Sequence, residues 1–230
     1  MENISKQWWQ TAVIYQIYPR SFYDSNGDGI GDLEGIAQKL DYLQTLGADA
    51  VWISPLCLSR TTNFWHPDPA LGTKEDLDAL AARAGERGIR VIVDAKGPPK
   101  GESASSLMEI GRRQDCSYYY STWHRSPGDG ASGLTFQGEH EILDQREDGE
   151  KWDLAPLSLV KFKRIFTKWQ KDLCGECWNG LLWENFHQPR SVSRFGDDGR
   201  YRMKAAKMLA TLLFGMRGTP FLYQGEELGM

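Results

Sequence analysis

The sequence predicts an α/β fold in which a largely parallel sheet is covered by helices. Two observations carry this reading. Residues 12–18 (AVIYQIY), 50–54 (AVWIS) and 89–93 (IRVIV) are short apolar runs rich in β-branched and aromatic residues. Strands buried on both faces have this character. The segments between them carry apolar residues at helical spacing, so strand and helix alternate along the chain.

Taken in order, the strand over 12–18 ends at Pro19, which has no N–H for a ladder. A helix follows over 32–46, with Leu33, Ile36, Leu40, Leu43 and Leu46 on one face and Gly47 as its stop. The strand over 50–54 is ended by Pro55. Thr73 caps a second helix, Glu75 and Asp76 complement its dipole, Leu77 and Leu80 face the core, and it ends near Gly88. The strand over 89–93 places Asp94 at its carboxyl end. Pattern then weakens through 101–133, with a short helix over 107–113 and an aromatic cluster from Tyr118 to Trp123. A strand over 134–137, a helix over 159–173 and a strand over 181–183 come next, followed by a helix over 202–214 and a strand over 220–223. That makes about six strands. One domain over 1–230 is expected, with a weakly ordered middle over 97–133.

The net charge of −4 gives no electrostatic case for nucleic acid or an anionic membrane as partner. The segment MENISKQWWQ has neither the basic nor the apolar part of a signal peptide, and no apolar run is long enough to span a bilayer. A cytoplasmic protein is therefore expected. Of the four cysteines, Cys57, Cys116, Cys174 and Cys177, the last two form a lone C-x-x-C. It follows a helix rather than preceding one, so a redox motif is not expected.

Residues 24–32 (DSNGDGIGD) set oxygen side chains on alternate positions of a tight turn, which aims several hard oxygens at one hard cation. The spacing matches the first half of an EF-hand loop. Asp24, Asn26 and Asp28 fill positions one, three and five, Gly29 position six, the Ile30 carbonyl position seven and Asp32 position nine. Gly35 stands at position twelve in place of the bidentate Glu. Ca²⁺, with Mg²⁺ as the alternative, is the expected ligand.

The block YQIYPRSFYDSNGDGIGDLEGI resembles the opening of the α-amylase family of glycoside hydrolases, in its oligo-1,6-glucosidase and α-glucosidase branch. Further blocks are similar to the same branch in family order: ALGTKEDLDAL, RGIRVIVD, KWDLAPLSL, HQPRSVSRFGDDGRYR and AAKMLATLLFGMRGTPFLYQGEELGM. The resemblance implies a (β/α)8 TIM-barrel-derived fold, incomplete here, with its site at the carboxyl ends of the strands. It also implies hydrolysis of α-glucosidic bonds in short oligosaccharides, and a chain shortened internally and without the family's C-terminal domain.

Retaining glycosidases flank the scissile bond with two carboxyls, a nucleophile and an acid/base. The family's nucleophile motif, G-F-R-x-D, is absent, and so is the strand that carries its acid Glu. Its W-N-N-H-D-Q-P-R motif becomes Trp183-Glu184-Asn185-Phe186-His187-Gln188-Pro189-Arg190, which puts His187 where the third carboxylate belongs. The D-V-V-x-N-H motif becomes Asp94-Ala95-Lys96-Gly97-Pro98-Pro99. No intact catalytic set is therefore expected, and activity should lie at background. Glu139, Glu141 and Asp144 are the substitutes that sequence offers, although acidic loop residues are usually only solvated. Asp94, Arg190, Arg194 and Glu226 are the candidate sugar contacts. Arg190 and Arg194 have an alternative as structural ion pairs with Asp197, Asp198 or Glu226. The alternative to an enzyme is a Ca²⁺-binding derivative that binds α-glucoside oligosaccharides or a partner without turnover, or a relic. Strand edges left open by missing strands would favour self-association.

Overall fold

A computed structural model describes residues 8–56, 67–94, 108–113, 116–121, 134–135, 157–172 and 178–230. The chain divides into two compact units, Val13–Pro127 and a second made of Met1–Ala12 with Gly128–Met230.

The first unit is built on parallel strands β1 (Ile14–Ile17), β2 (Ala50–Ile53) and β3 (Arg90–Asp94). Their register is in step, Ile14 opposite Ala50 and Ala50 opposite Arg90. β1 and β2 are buried throughout, as their unbroken apolar runs require. Beyond β3 lies β5 (Cys116–Ser121), parallel to it, and then β4 (Met108–Arg113), antiparallel to β5. The order within this unit is β4-β5-β3-β2-β1. The short helix expected over 107–113 is therefore a strand. Cross-strand pairing with the tyrosine-rich β5 overrides a weak local helical pattern. Gly111, a poor helix former, lies at the register shift between the two strands.

The helix expected over 32–46 is two segments, α1 (Leu33–Gln38) and α2 (Leu40–Leu46), broken at Lys39. Leu33, Ile36, Leu40 and Leu43 are buried on the predicted face, while Leu46 is exposed. Gly47 caps α2 at φ 90°, a conformation that favours glycine. α3 (Lys74–Gly85) opens on a capping box in which the Thr73 side chain and Asp76 satisfy each other's backbone N–H. Arg83 and Arg87 on this side reach Glu34 and Asp41 at 2.8 and 2.7 Å. These pairs are exposed, so each contributes little.

The second unit contains strands β6 (Leu134–Thr135), β7 (Trp178–Leu181) and β8 (Thr219–Tyr223), all parallel, in the order β6-β7-β8. β7 ends at Leu181, so it overlaps the expected 181–183 only at its last residue. The buried apolar run continues through Trp183, but pairing with β8 stops at Leu181. Among the described residues its α-helices are α4 (Leu159–Asp172), α5 (Ser191–Phe195) and α6 (Arg202–Gly215). The core of this unit is centred on Trp183, which is 1% exposed. Its ring stacks on Phe162 at 5.5 Å and meets Phe166 and Phe195 at 5.4 and 5.9 Å. Its indole N–H donates to the Leu209 carbonyl at 2.9 Å, so the polar edge of the ring is satisfied. Gln170 clamps the ends of α4 and α6 through paired bonds with the Arg217 backbone, at 2.9 and 3.1 Å.

Every strand expected from sequence is present, and the β4–β5 hairpin is added to them. Most of the segment expected to be weakly ordered, 97–133, lies outside the described residues.

Candidate functional site

The acidic loop between β1 and α1 is held by its own backbone. The Gly31 N–H donates to the Arg20 carbonyl at 2.8 Å and the Asp32 N–H to the Tyr23 carbonyl at 3.1 Å. Asp24 accepts N–H bonds from Gly27, Gly29 and Asn26 at 2.7, 2.8 and 3.1 Å. Those bonds, Gly29's first and then Gly27's, hold its carboxyl below the ordinary aspartate range. Asp28 accepts from the Ile30 N–H at 2.7 Å and from the Asn26 amide at 3.1 Å, while Asn26 Oδ1 accepts from the Asp28 N–H at 2.9 Å. Gly27 and Gly29 take φ of 82° and 90°, the turns that this weave of bonds needs.

Asp32 has a second duty. It caps α1 by accepting from the Gly35 N–H at 2.6 Å, and its other oxygen accepts from the Ser25 N–H and hydroxyl at 3.0 and 2.9 Å. The missing Glu at position twelve also has a steric reason. A Cβ on Gly35 would stand 2.0 Å from the Tyr23 carbonyl oxygen, so no side chain fits there. Among the described residues no group of three or more His, Cys, Asp or Glu is placed to hold a metal. The donors that are present, carboxylate, amide and carbonyl oxygen, are chemically those of a hard cation.

At the carboxyl ends of β7 and β8 lies a different arrangement. Glu184, just past β7, is 1% exposed. One carboxylate oxygen accepts from Arg190 Nη1 at 2.7 Å, and the other accepts from the backbone N–H of Ser191, the first residue of α5. Arg190 Nη1 also donates to the Gln224 carbonyl at 2.8 Å, and its guanidinium lies 4.9 Å from the centre of the Tyr223 ring. Arg190 thus ties β7, α5 and the end of β8 together. Its expected partners, Asp197, Asp198 and Glu226, are replaced in the direct ion pair by Glu184. Arg194 donates to the Gln188 side chain at 3.1 Å, and Asp197 accepts from the Gly199 and Tyr201 N–H groups at 2.9 and 3.1 Å.

Glu226 opens the turn after β8 and accepts from the Tyr223 N–H at 3.1 Å. It is half-buried, and its carboxyl is pushed well above the usual range. Desolvation is the main cause, followed by the negative charge of Glu184, while the Tyr223 N–H and Arg190 act in the opposite sense. His187 is exposed. Its backbone N–H donates to Asn185 Oδ1 at 2.8 Å, and its ring lies 3.8 Å from that of Phe186.

Of the residues expected at the site, Arg190 and Glu226 are brought together, with His187 and Arg194 on the same stretch of the second unit. Asp94 ends β3, with its backbone opposite Ser121. Glu139 and Asp144, the other candidate carboxyls, lie outside the described residues, as do Cys174 and Cys177. The residue that sequence reading missed is Glu184. Its signal was present: a lone acid within the apolar run Leu181-Leu182-Trp183-Glu184, at the carboxyl end of a strand.

A family model described as the alpha amylase catalytic domain matches residues 16–97 and 100–230. The chain is 30% identical to the oligo-1,6-glucosidase of Parageobacillus thermoglucosidasius, an alignment covering 99% of this chain and 66% of that protein. It is 31% identical to the trehalose-6-phosphate hydrolase of Escherichia coli (strain K12), covering 97% of this chain and 66% of that protein. The crystal structure of Bacillus licheniformis trehalose-6-phosphate hydrolase superposes with a TM-score of 0.78 at 25% identity, over 98% of this chain and 66% of that one. The chain thus spans just under two thirds of the length of these relatives. The first alignment runs over 374 positions against the 230 residues of this chain, so at least 144 positions have no counterpart here.

Proposed function

Because the chain belongs to the alpha-amylase family, with an incomplete fold derived from the (β/α)8 barrel, we propose that it is a derivative of an α-glucosidase scaffold that no longer turns over substrate. The observation that carries this reading is His187 at the position of the family's third carboxylate, exposed and packed on Phe186. A neutral or cationic imidazole there cannot supply the negative charge that an oxocarbenium-like transition state calls for. Two further supports are the absence of the nucleophile and acid motifs from the sequence and the 144 alignment positions without counterpart. The ligand class of this reading is the short α-glucoside, with Arg190, Arg194 and Glu226 of the second unit as its contacts. The setting is cytoplasmic, and no helix among the described residues is long and apolar enough to cross a membrane. Turnover of maltose, isomaltose and sucrose by the purified protein tests the reading, and release of glucose at the rate of an ordinary α-glucosidase would overturn it.

The same reading includes a retained Ca²⁺ or Mg²⁺ site formed by Asp24, Asn26, Asp28, the Ile30 carbonyl and Asp32. When bound, the ion would lock this loop against α1. A ligand that binds only the native state stabilises it by RT ln(1 + [L]/Kd), about 2.7 kcal/mol at a hundredfold excess over Kd. Millimolar Ca²⁺ is therefore expected to raise Tm relative to EDTA, and Asp28→Ala to remove the increment. An identical Tm in Ca²⁺ and EDTA would refute the site.

Self-association is part of the proposal. Its supports are β4, outermost in the strand order of its unit, and the exposed side chains of Met203, Met208, Leu212 and Phe214 on α6. Size-exclusion chromatography is expected to show species larger than a monomer of 26.1 kDa.

A further inference from the structure

Glu184, buried against Arg190 and the Ser191 N–H, is assigned no sugar contact above, and it draws Arg190 and Glu226 into a second arrangement beside their proposed ligand role. We propose that Glu184, Arg190 and Glu226 form a pH-controlled latch that fastens the turn at residues 224–230 to the base of α5 in mildly acidic solution and loosens it as pH rises.

The latch is built from three fixed contacts. Arg190 is clamped from below by buried Glu184 at 2.7 Å and holds the Gln224 carbonyl at 2.8 Å with the same nitrogen. The turn packs directly on this guanidinium, since a Cβ added to Gly225 would lie 3.2 Å from Arg190 Nη2 and 2.6 Å from Met230 Sδ. The turn is then closed by short backbone bonds, Leu228 N–H to Gly225 O at 3.1 Å, Gly229 N–H to Glu226 O at 2.9 Å and Met230 N–H to Gly225 O at 3.1 Å.

The charges facing Glu226 come from every element around it. Glu184 follows β7, Arg190 precedes α5 and Glu227 is its neighbour in the turn, and all three act on its carboxyl. From α6, Arg202 donates to the Leu228 and Gly229 carbonyls at 3.3 and 2.9 Å, so its charge holds the backbone of the turn. One guanidinium beside two other carboxylates cannot balance a third. The raised pKa of Glu226 expresses this: the folded turn prefers the neutral acid. An acid whose folded pKa exceeds its unfolded value weakens the fold as pH rises from the unfolded value toward the folded one. Closure is accordingly favoured on the acidic side of the folded pKa, and opening of the turn releases one proton to solvent.

Hydrogen exchange of the Leu228, Gly229 and Met230 amides, corrected for intrinsic rates, tests the latch on the whole protein. Protection in the wild type is expected to fall as pH rises, approaching about tenfold per pH unit where opening is linked to one proton. Glu226→Gln keeps the hydrogen-bonding shape without the titration, so its protection should be high and flat with pH. Glu184→Gln removes one of the charges that raise the Glu226 carboxyl, so the fall in protection should end at lower pH and be smaller than in the wild type. Flat protection in the wild type, or an unchanged pH dependence in Glu226→Gln, would overturn the proposal. Both readouts are independent of sugar turnover or binding.

Discussion

Replacing Trp183 by alanine should lower the stability of the protein by about 3–5 kcal/mol, the usual range for deleting a buried aromatic ring. The ring is almost fully buried and touches Phe162, Phe166 and Phe195, which come from α4 and α5, while its N–H reaches α6 at Leu209. Its loss leaves a cavity bounded by α4, α5 and α6, of which Gln170 ties α4 to the end of α6, so the walls have little freedom to collapse. Trp183→Phe should cost less, since it keeps the packing and gives up mainly the bond to Leu209, itself worth about 1 kcal/mol. Urea denaturation checks both. The alanine variant should show a lower midpoint with an unchanged m-value, and a midpoint within error of wild type would show that this cluster is not the centre of its unit.

The second large effect concerns catalysis. Restoring the family's carboxylate by His187→Asp is expected to produce no activity on maltose, isomaltose or sucrose. A retaining mechanism needs its two carboxyls about 5–5.5 Å apart across the sugar, one to attack and one to give up a proton. Catalytic groups that act as a unit do not contribute separately, and losing the set forfeits a factor of about 10⁶ or more in rate. A single new carboxylate at an exposed position therefore leaves the deficit in place. Activity appearing in His187→Asp would mean that the other two carboxyls are present, with Glu139 and Asp144 the first to examine.

The elements that sequence made legible are those set by local chemistry. Thr73 signalled its own cap, Gly47 its own left-handed stop, and the unbroken runs of β1 and β2 their burial on both faces, while the bond that Asp76 returns to the Thr73 backbone appears only in the structure. Non-local pairing was harder to read. Met108–Arg113 became a strand because β5 lies beside it, which no window around those residues reveals. The end of β7 was misplaced because burial outlasts the ladder. At the candidate site, Arg190 and Glu226 were visible as charges, but their arrangement depends on the start of α5 turning back onto Glu184. Side-chain pairing of that kind follows from tertiary geometry rather than from spacing along the chain. The loop at Asp24 was legible as a set of oxygen donors, while the helix-capping duty of Asp32 emerged only with the fold.

The central claim is that this chain keeps the scaffold of the alpha-amylase family without its turnover. Release of p-nitrophenol from p-nitrophenyl α-glucoside by the purified protein, with Ca²⁺ present, tests it most directly. The account predicts a rate indistinguishable from the buffer control. A rate that scales with protein concentration and reaches that of an ordinary α-glucosidase would contradict it.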